Sequence, residues 1–209
     1  MLTQSFAFIS CLALIGCDQR ASEINESDLP TTHMSKPIDF GVETYRRTIA
    51  TLEPQVDYGP NGESQDAPWD DTPKFRKWIE SLNLGDENTE ALLELVPPVS
   101  MATNHGPLLG VERFMEDNSE SRHMVREAGF LIFASGPNGD FVVVDTRDGG
   151  GQTGWLPMAM IWDMEPSQVR EHFVATNKNL GDFLRASEED WSEVPKDWYD
   201  ARDESAKTQ

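Results

Sequence analysis

The chain has 209 residues, 17 basic and 37 acidic side chains, and a formal charge of −20 at neutral pH. That length fits one domain with tails, and the acidity disfavours nucleic acid and anionic headgroups as ligands. The charge is read either as plain solvation of the surface or as a field that steers basic partners toward it.

The first residues read MLTQSFAFISCLALIGCDQR. The apolar run Phe6 to Gly16 is too short for a permanent bilayer span but suits the core of a signal peptide. It ends in Leu14-Ile15-Gly16-Cys17, which resembles a bacterial lipobox. That resemblance implies cleavage before Cys17, diacylglycerol on its thiol, and lipid anchoring of an extracytoplasmic domain in the bacterial envelope. Both cysteines, Cys11 and Cys17, lie in this leader, so the remaining chain can form neither a disulfide framework nor a cysteine metal site. Residues 17–37 lack hydrophobic periodicity and read as a flexible tether. A domain is expected over residues 38–186, followed by an acidic tail, residues 187–209. Trp191, Trp198 and Tyr199 are unusual for a free tail and suggest that part of it folds back.

Within the domain, Val42, Tyr45, Ile49 and Leu52 recur at helical spacing until Pro54. Residues 58–70 read as a loop from their Gly, Pro and Asn content. Thr72-Pro73 offers an N-cap and a first-turn proline, with Asp70 and Asp71 at the positive end of the helix dipole. Phe75, Trp78, Ile79 and Leu82 follow at i, i+3, i+4, i+7 and define one buried face. A further helix is expected over Asp86 to Leu95, stopped by Pro97-Pro98. Leu108, Leu109 and Val111 suggest a short strand, and Phe114-Met115 a turn or helix.

The pattern sharpens at GFLIFASGPNGDFVVVDTRDGG. Phe130 to Ala134 and Phe141 to Asp145 are β-rich and apolar on both faces, as central strands are. Asn138-Gly139 favours the positive φ of a hairpin turn. DTRDGGGQTG reads as a loop, Met158 to Trp162 as a third strand entered through Pro157, and residues 166–175 fit either a helical turn or a strand. Asn177 is placed as the cap of a last helix carrying Leu180, Phe183 and Leu184.

No chemistry-bearing signature accompanies these elements. His33, His105, His123 and His172 are scattered; no pair has helical metal-site spacing and no HExxH occurs. His105 and His123 read most simply as loop residues. Asp145 and Asp148 lack the alternating oxygen ligands of a calcium loop, GGGQTG lacks the Lys-Ser/Thr of a phosphate loop, and there is no G-x-S-x-G. No cofactor is expected. Trp155 and Trp162 fit either ligand platforms or core aromatics.

Gly129, Phe130, Gly139, Asp140, Asp145, Trp162, Asp163, Phe183 and Leu184, in GFLIFASGPNGDFVVVDTRDG, MIWDME and NLGDFLRAS, resemble the SMI1/KNR4 family, also called the SUKH superfamily. The match covers roughly Gly129 to Ala186 and rests on fold-forming residues. The amino-terminal half lacks the family's common Leu-Pro-x-x-Tyr motif. The resemblance implies an α+β fold, a mixed or antiparallel sheet with helices packed on one side. It also implies a non-enzymatic, protein-binding role, with immunity to a toxin as its bacterial form. The expected partner is a protein, a basic toxin being one candidate, met along the sheet and adjoining loops by Asp140, Asp145, Asp148, Asp163 and exposed aromatic surface including Trp155. Two alternatives remain open from the residues: an envelope-associated structural lipoprotein, and an extracytoplasmic hydrolase.

Overall fold

The computed structural model describes residues 36–55, 71–119, 122–147, 150–190 and 194–208. Cys17, the leader, most of the tether, the 58–70 loop, Asp148 and Trp191 lie outside them. The described residues form an α+β fold: eight α-helices and one four-stranded antiparallel sheet.

The sheet is built from β1 (Phe130–Ser135), β2 (Phe141–Asp145), β3 (Thr153–Leu156) and β4 (Val174–Lys178), in that spatial order. β1 and β2 pair as the apolar runs predict, Leu131 opposite Val144 and Ser135 opposite Phe141, with a bulge between Ile132 and Ala134. Their turn needs left-handed backbone at two residues, and Asn138 (φ 62°) and Gly139 (φ 84°) supply it. Gly139 N–H bonds the Gly136 carbonyl at 3.1 Å, so Pro137 and Asn138 are the central residues of a type II turn.

Three strand expectations are corrected. The third strand is Thr153–Leu156, while Met158–Met160 forms a short 3-10 turn. Gly154, which reads as loop, is what sheet packing requires. A Cβ on Gly154 would collide with the Val174 carbonyl and the Phe173 ring. Leu108, Leu109 and Val111 form no regular strand. Leu108 makes isolated bridges to Met101 and Ala134, and Val111 begins a helix.

β1 is an edge strand rather than a central one, yet its outer side is covered. Leu109 N–H donates to Phe133 O (2.8 Å) and Ser135 N–H to Pro107 O (3.1 Å). The buried Asn118 side chain accepts from Ile132 N–H (2.8 Å) and donates to Ile132 O (2.9 Å). These bonds satisfy backbone groups that an edge would otherwise leave buried and unpaired.

The helices are α1 (Val42–Ile49), α2 (Thr72–Glu80), α3 (Asp86–Leu95), α4 (Val111–Asp117), α5 (His123–Glu127), α6 (Pro166–Glu171), α7 (Leu180–Glu189) and α8 (Trp198–Lys207). Asp71 caps α2, accepting from Lys74 N–H, so Thr72 and Pro73 move one place into the helix. Residues 166–175 contain α6 and then the start of β4. The cap of α7 is Asn179, which accepts from Asp182 N–H, while Asn177 sits in β4 at φ 58°. α7 lies close against α1 because Gly181 has no side chain: its N–H reaches Phe40 O at 2.9 Å, and a Cβ would strike Gly41 O.

Trp155, opposite Val142, turns one sheet face toward Phe183 of α7, with ring centroids 5.9 Å apart. The other face carries Phe130, packed 4.7 Å from Phe173 and under the Arg170 guanidinium of α6. Every residue of β1 to β3 except the terminal Ser135 and Asp145 is therefore buried. α8 adds the acidic C-terminal stretch to the same fold, burying Trp198 and Ala201. Phe141 is 2% exposed at the centre of this arrangement. Phe141→Ala should lower unfolding free energy by about 3–5 kcal/mol in urea titrations without changing the cooperativity of the transition.

Candidate protein-binding surface

The carboxylates expected to act together occupy two ends of β2. Asp140 precedes the strand and Asp145 closes it. Asp145 faces inward to an ion pair: Arg170 donates to both of its oxygens and to Ala128 O at 2.7 Å. Arg147 N–H adds a 3.1 Å bond. Its charge is consumed within the fold, which corrects its expected place on a binding rim. Trp155 is corrected too: it is fully buried, so it offers no exposed aromatic surface.

Asp140 has a different task. One of its oxygens accepts Trp198 N–H at 2.6 Å and the other accepts Met158 N–H at 3.3 Å. Beside it, Asn138 donates to the Asp197 carboxylate at 3.2 Å, and Asp197 in turn caps α8 by accepting from Asp200 N–H. The β1–β2 turn thus holds both the segment after β3 and the start of α8. Trp198 completes the join, its indole N–H bonded to His172 O at 2.8 Å.

What these segments display is apolar. Among the described residues the exposed large hydrophobic side chains are Met160 (38%), Trp162 (46%) and Tyr199 (60%). Tyr199 and Met160 touch, hydroxyl to sulfur, at 3.9 Å. Trp162 stands over the Arg122 guanidinium, 5.6 Å from its ring centroid, and the same guanidinium lies 4.7 Å from the Phe141 ring. Arg122 is also paired with Asp117, whose carboxyl is pushed up by burial and drawn back by that cation. Trp162 is therefore held on a rigid cationic shelf. Asp163 is exposed next to it, and Asp203 lies one helical turn from Tyr199. Exposed apolar side chains ringed by charge are the ordinary appearance of a protein contact.

Sequence reasoning named Asp140 and Asp163 here but missed Met160 and Tyr199. The signal available was the Trp198-Tyr199 pair inside an acidic stretch, one aromatic to bury and one to show. Trp162 was legible as an aromatic but was assigned to a strand that does not form.

The described residues hold no cluster of three or more His, Cys, Asp or Glu side chains able to bind a metal ion, and no helix long and apolar enough to cross a membrane. Comparison with models of known protein families, with characterised proteins and with solved structures returns no match.

One titratable group stands apart from this surface. His105 lies in a turn, as expected, but is buried: it is 1% exposed, 5.1 Å from the Phe183 ring, and neither ring nitrogen has a well-formed hydrogen bond. Burial lowers its pKa from 6.5 to about 4, the nearby Ser135 backbone offsetting this only in part. Between those values the unfolded chain takes up a proton that the folded one refuses, so stability falls as pH drops from 6.5 to about 4. Urea unfolding across that window should show up to about 3 kcal/mol more acid sensitivity in the wild type than in His105→Phe, which cannot titrate.

Proposed function

We propose that this chain is a membrane-tethered, non-enzymatic protein-binding module of the SMI1/KNR4 type, with a basic protein as its partner and toxin immunity as its role. The observation that carries the reading is the corner formed by Met160, Trp162 and Tyr199, where exposed apolar side chains meet exposed carboxylates. The apolar groups supply area that is removed from water on contact, while Asp163 and Asp203 repel acidic competitors. The −20 charge acts at longer range and raises the encounter rate of a cation-rich surface. It also keeps the domain off anionic headgroups, so attachment to the membrane falls to lipid on Cys17.

The reading is tested with the full chain, first by affinity capture in its own cells and then by association kinetics with the captured protein. Raising salt to about 0.5 M, where the Debye length is about 4 Å, should slow association strongly and change dissociation little. Trp162→Ala should do the reverse. An acidic partner, or association indifferent to salt, would contradict the reading. The tether is checked separately: Cys17→Ser should remain an unprocessed precursor, and a wild-type product cleaved elsewhere and freely soluble would remove the anchor.

A further inference from the structure

The two edges of the sheet are unlike. β1 is closed off by residues 107–109 and by the Asn118 side chain. β4, at the opposite edge, borders an open groove of about 660 Å³. All five of its residues, Val174 to Lys178, line that groove, across the bulge that offsets Thr176 and Asn177 from β3. The space therefore follows the backbone edge of the strand. Ala201, Glu204 and Ser205 of α8, with its C-cap Thr208, form the opposite wall, and Trp155 contributes to the lining.

Two features make this wall receptive. Thr176 turns its hydroxyl inward to Thr153 O (2.8 Å) and Asn177 accepts from Gln152 Nε2 (3.0 Å), so these side chains bond back toward the sheet. Trp155 is fully buried yet its indole N–H has no partner among the described residues. A buried donor left unpaired has lost its hydration without replacement, and a carbonyl placed in the groove would restore a partner.

We infer that the β4–α8 groove receives an extended segment of a cationic protein, which adds to the sheet as a fifth strand and offers a backbone carbonyl to Trp155. The inference rests on the protein-binding reading above and names how that binding is completed. Five strand residues span at most about 17 Å and the bulge at Thr176 and Asn177 shortens the run, so about four residues of the partner would pair. Main-chain bonds to an open edge give affinity with little sequence demand, and alternate side chains would point toward Val174 and the α8 wall. The two charged side chains lining the groove, Glu204 and Lys178, oppose each other, so the preference for a cation comes from the whole chain. The same charge disfavours a second copy, since each would carry −20.

The test uses the isotope-labelled full chain and three capped peptides: Ac-KVTVRV-NH2, its form N-methylated at every residue, and the acidic Ac-EVTVEV-NH2. The first should shift the backbone amides of Val174–Lys178 and the Trp155 indole N–H, with binding lost on N-methylation and weakened at least tenfold in the acidic peptide. Trp155→Phe, which keeps a ring in place, should weaken binding about tenfold with β4 still shifting. No shift in β4, or equal binding of the N-methylated peptide, would overturn the inference. Shifts confined to Met160, Trp162 and Tyr199 would overturn it while leaving the exposed aromatic corner as the contact surface.

Discussion

The arrangement of this surface depends on where one carboxylate sends its two oxygens. Asp140 closes a turn whose backbone is set by Pro137, Asn138 and Gly139, and it accepts the amides of Trp198 and Met158. Each bond is charge-assisted and stronger than a neutral one. Without them the segment after β3 and the start of α8 would have no shared anchor at this end of the sheet. Met160 and Tyr199 meet because both segments are tied to the same side chain. The aspartate counted at first as a rim charge is better understood as the joint that assembles the rim.

A second constraint is that strands apolar on both faces must be covered on both faces. α7, closely fitted to α1 through Gly181, covers the Trp155 face, while α5, α6 and the ring of Phe173 cover the Phe130 face. Covering has polar consequences. Asp145 and Arg170 pair beneath α6, and Asn118 closes the β1 edge, because groups removed from water must find partners. Two of the exceptions are informative. His105 and the Trp155 indole are buried without good partners, one making the fold acid-sensitive and the other lying beside the groove at β4.

Much of the fold was legible in the sequence where local chemistry and tertiary need coincide. α3 begins and ends where its composition says, and the β1–β2 hairpin follows from two β-rich runs around residues that tolerate positive φ. The cap of α2 was displaced by one place: it is Asp71, not Thr72. Legibility failed where long-range packing decides. Gly154 reads as loop until Phe173 and Val174 are brought against it, and Met158 to Trp162 reads as strand until Asp140 takes the Met158 amide. Leu108 contributes two isolated bridges rather than a strand. Of the binding residues, Asp163 and the aromatic character of Trp162 could be read directly. The burial of Trp155, the internal pairing of Asp145 and the exposure of Met160 and Tyr199 could not, since each depends on a residue at least 25 positions away.

The protein-binding reading and the groove at β4 share a requirement: α8 must be held in place as a wall and a support. Native-state hydrogen exchange of Asp140→Ala against the wild type tests this most directly, because it reads each element separately. The account predicts that the amides of Trp198–Lys207 and of residues 158–164 lose protection together, while β1, β2 and α7 keep theirs. Unchanged protection in α8, or a uniform loss across every element, would contradict the claim that this carboxylate assembles the surface.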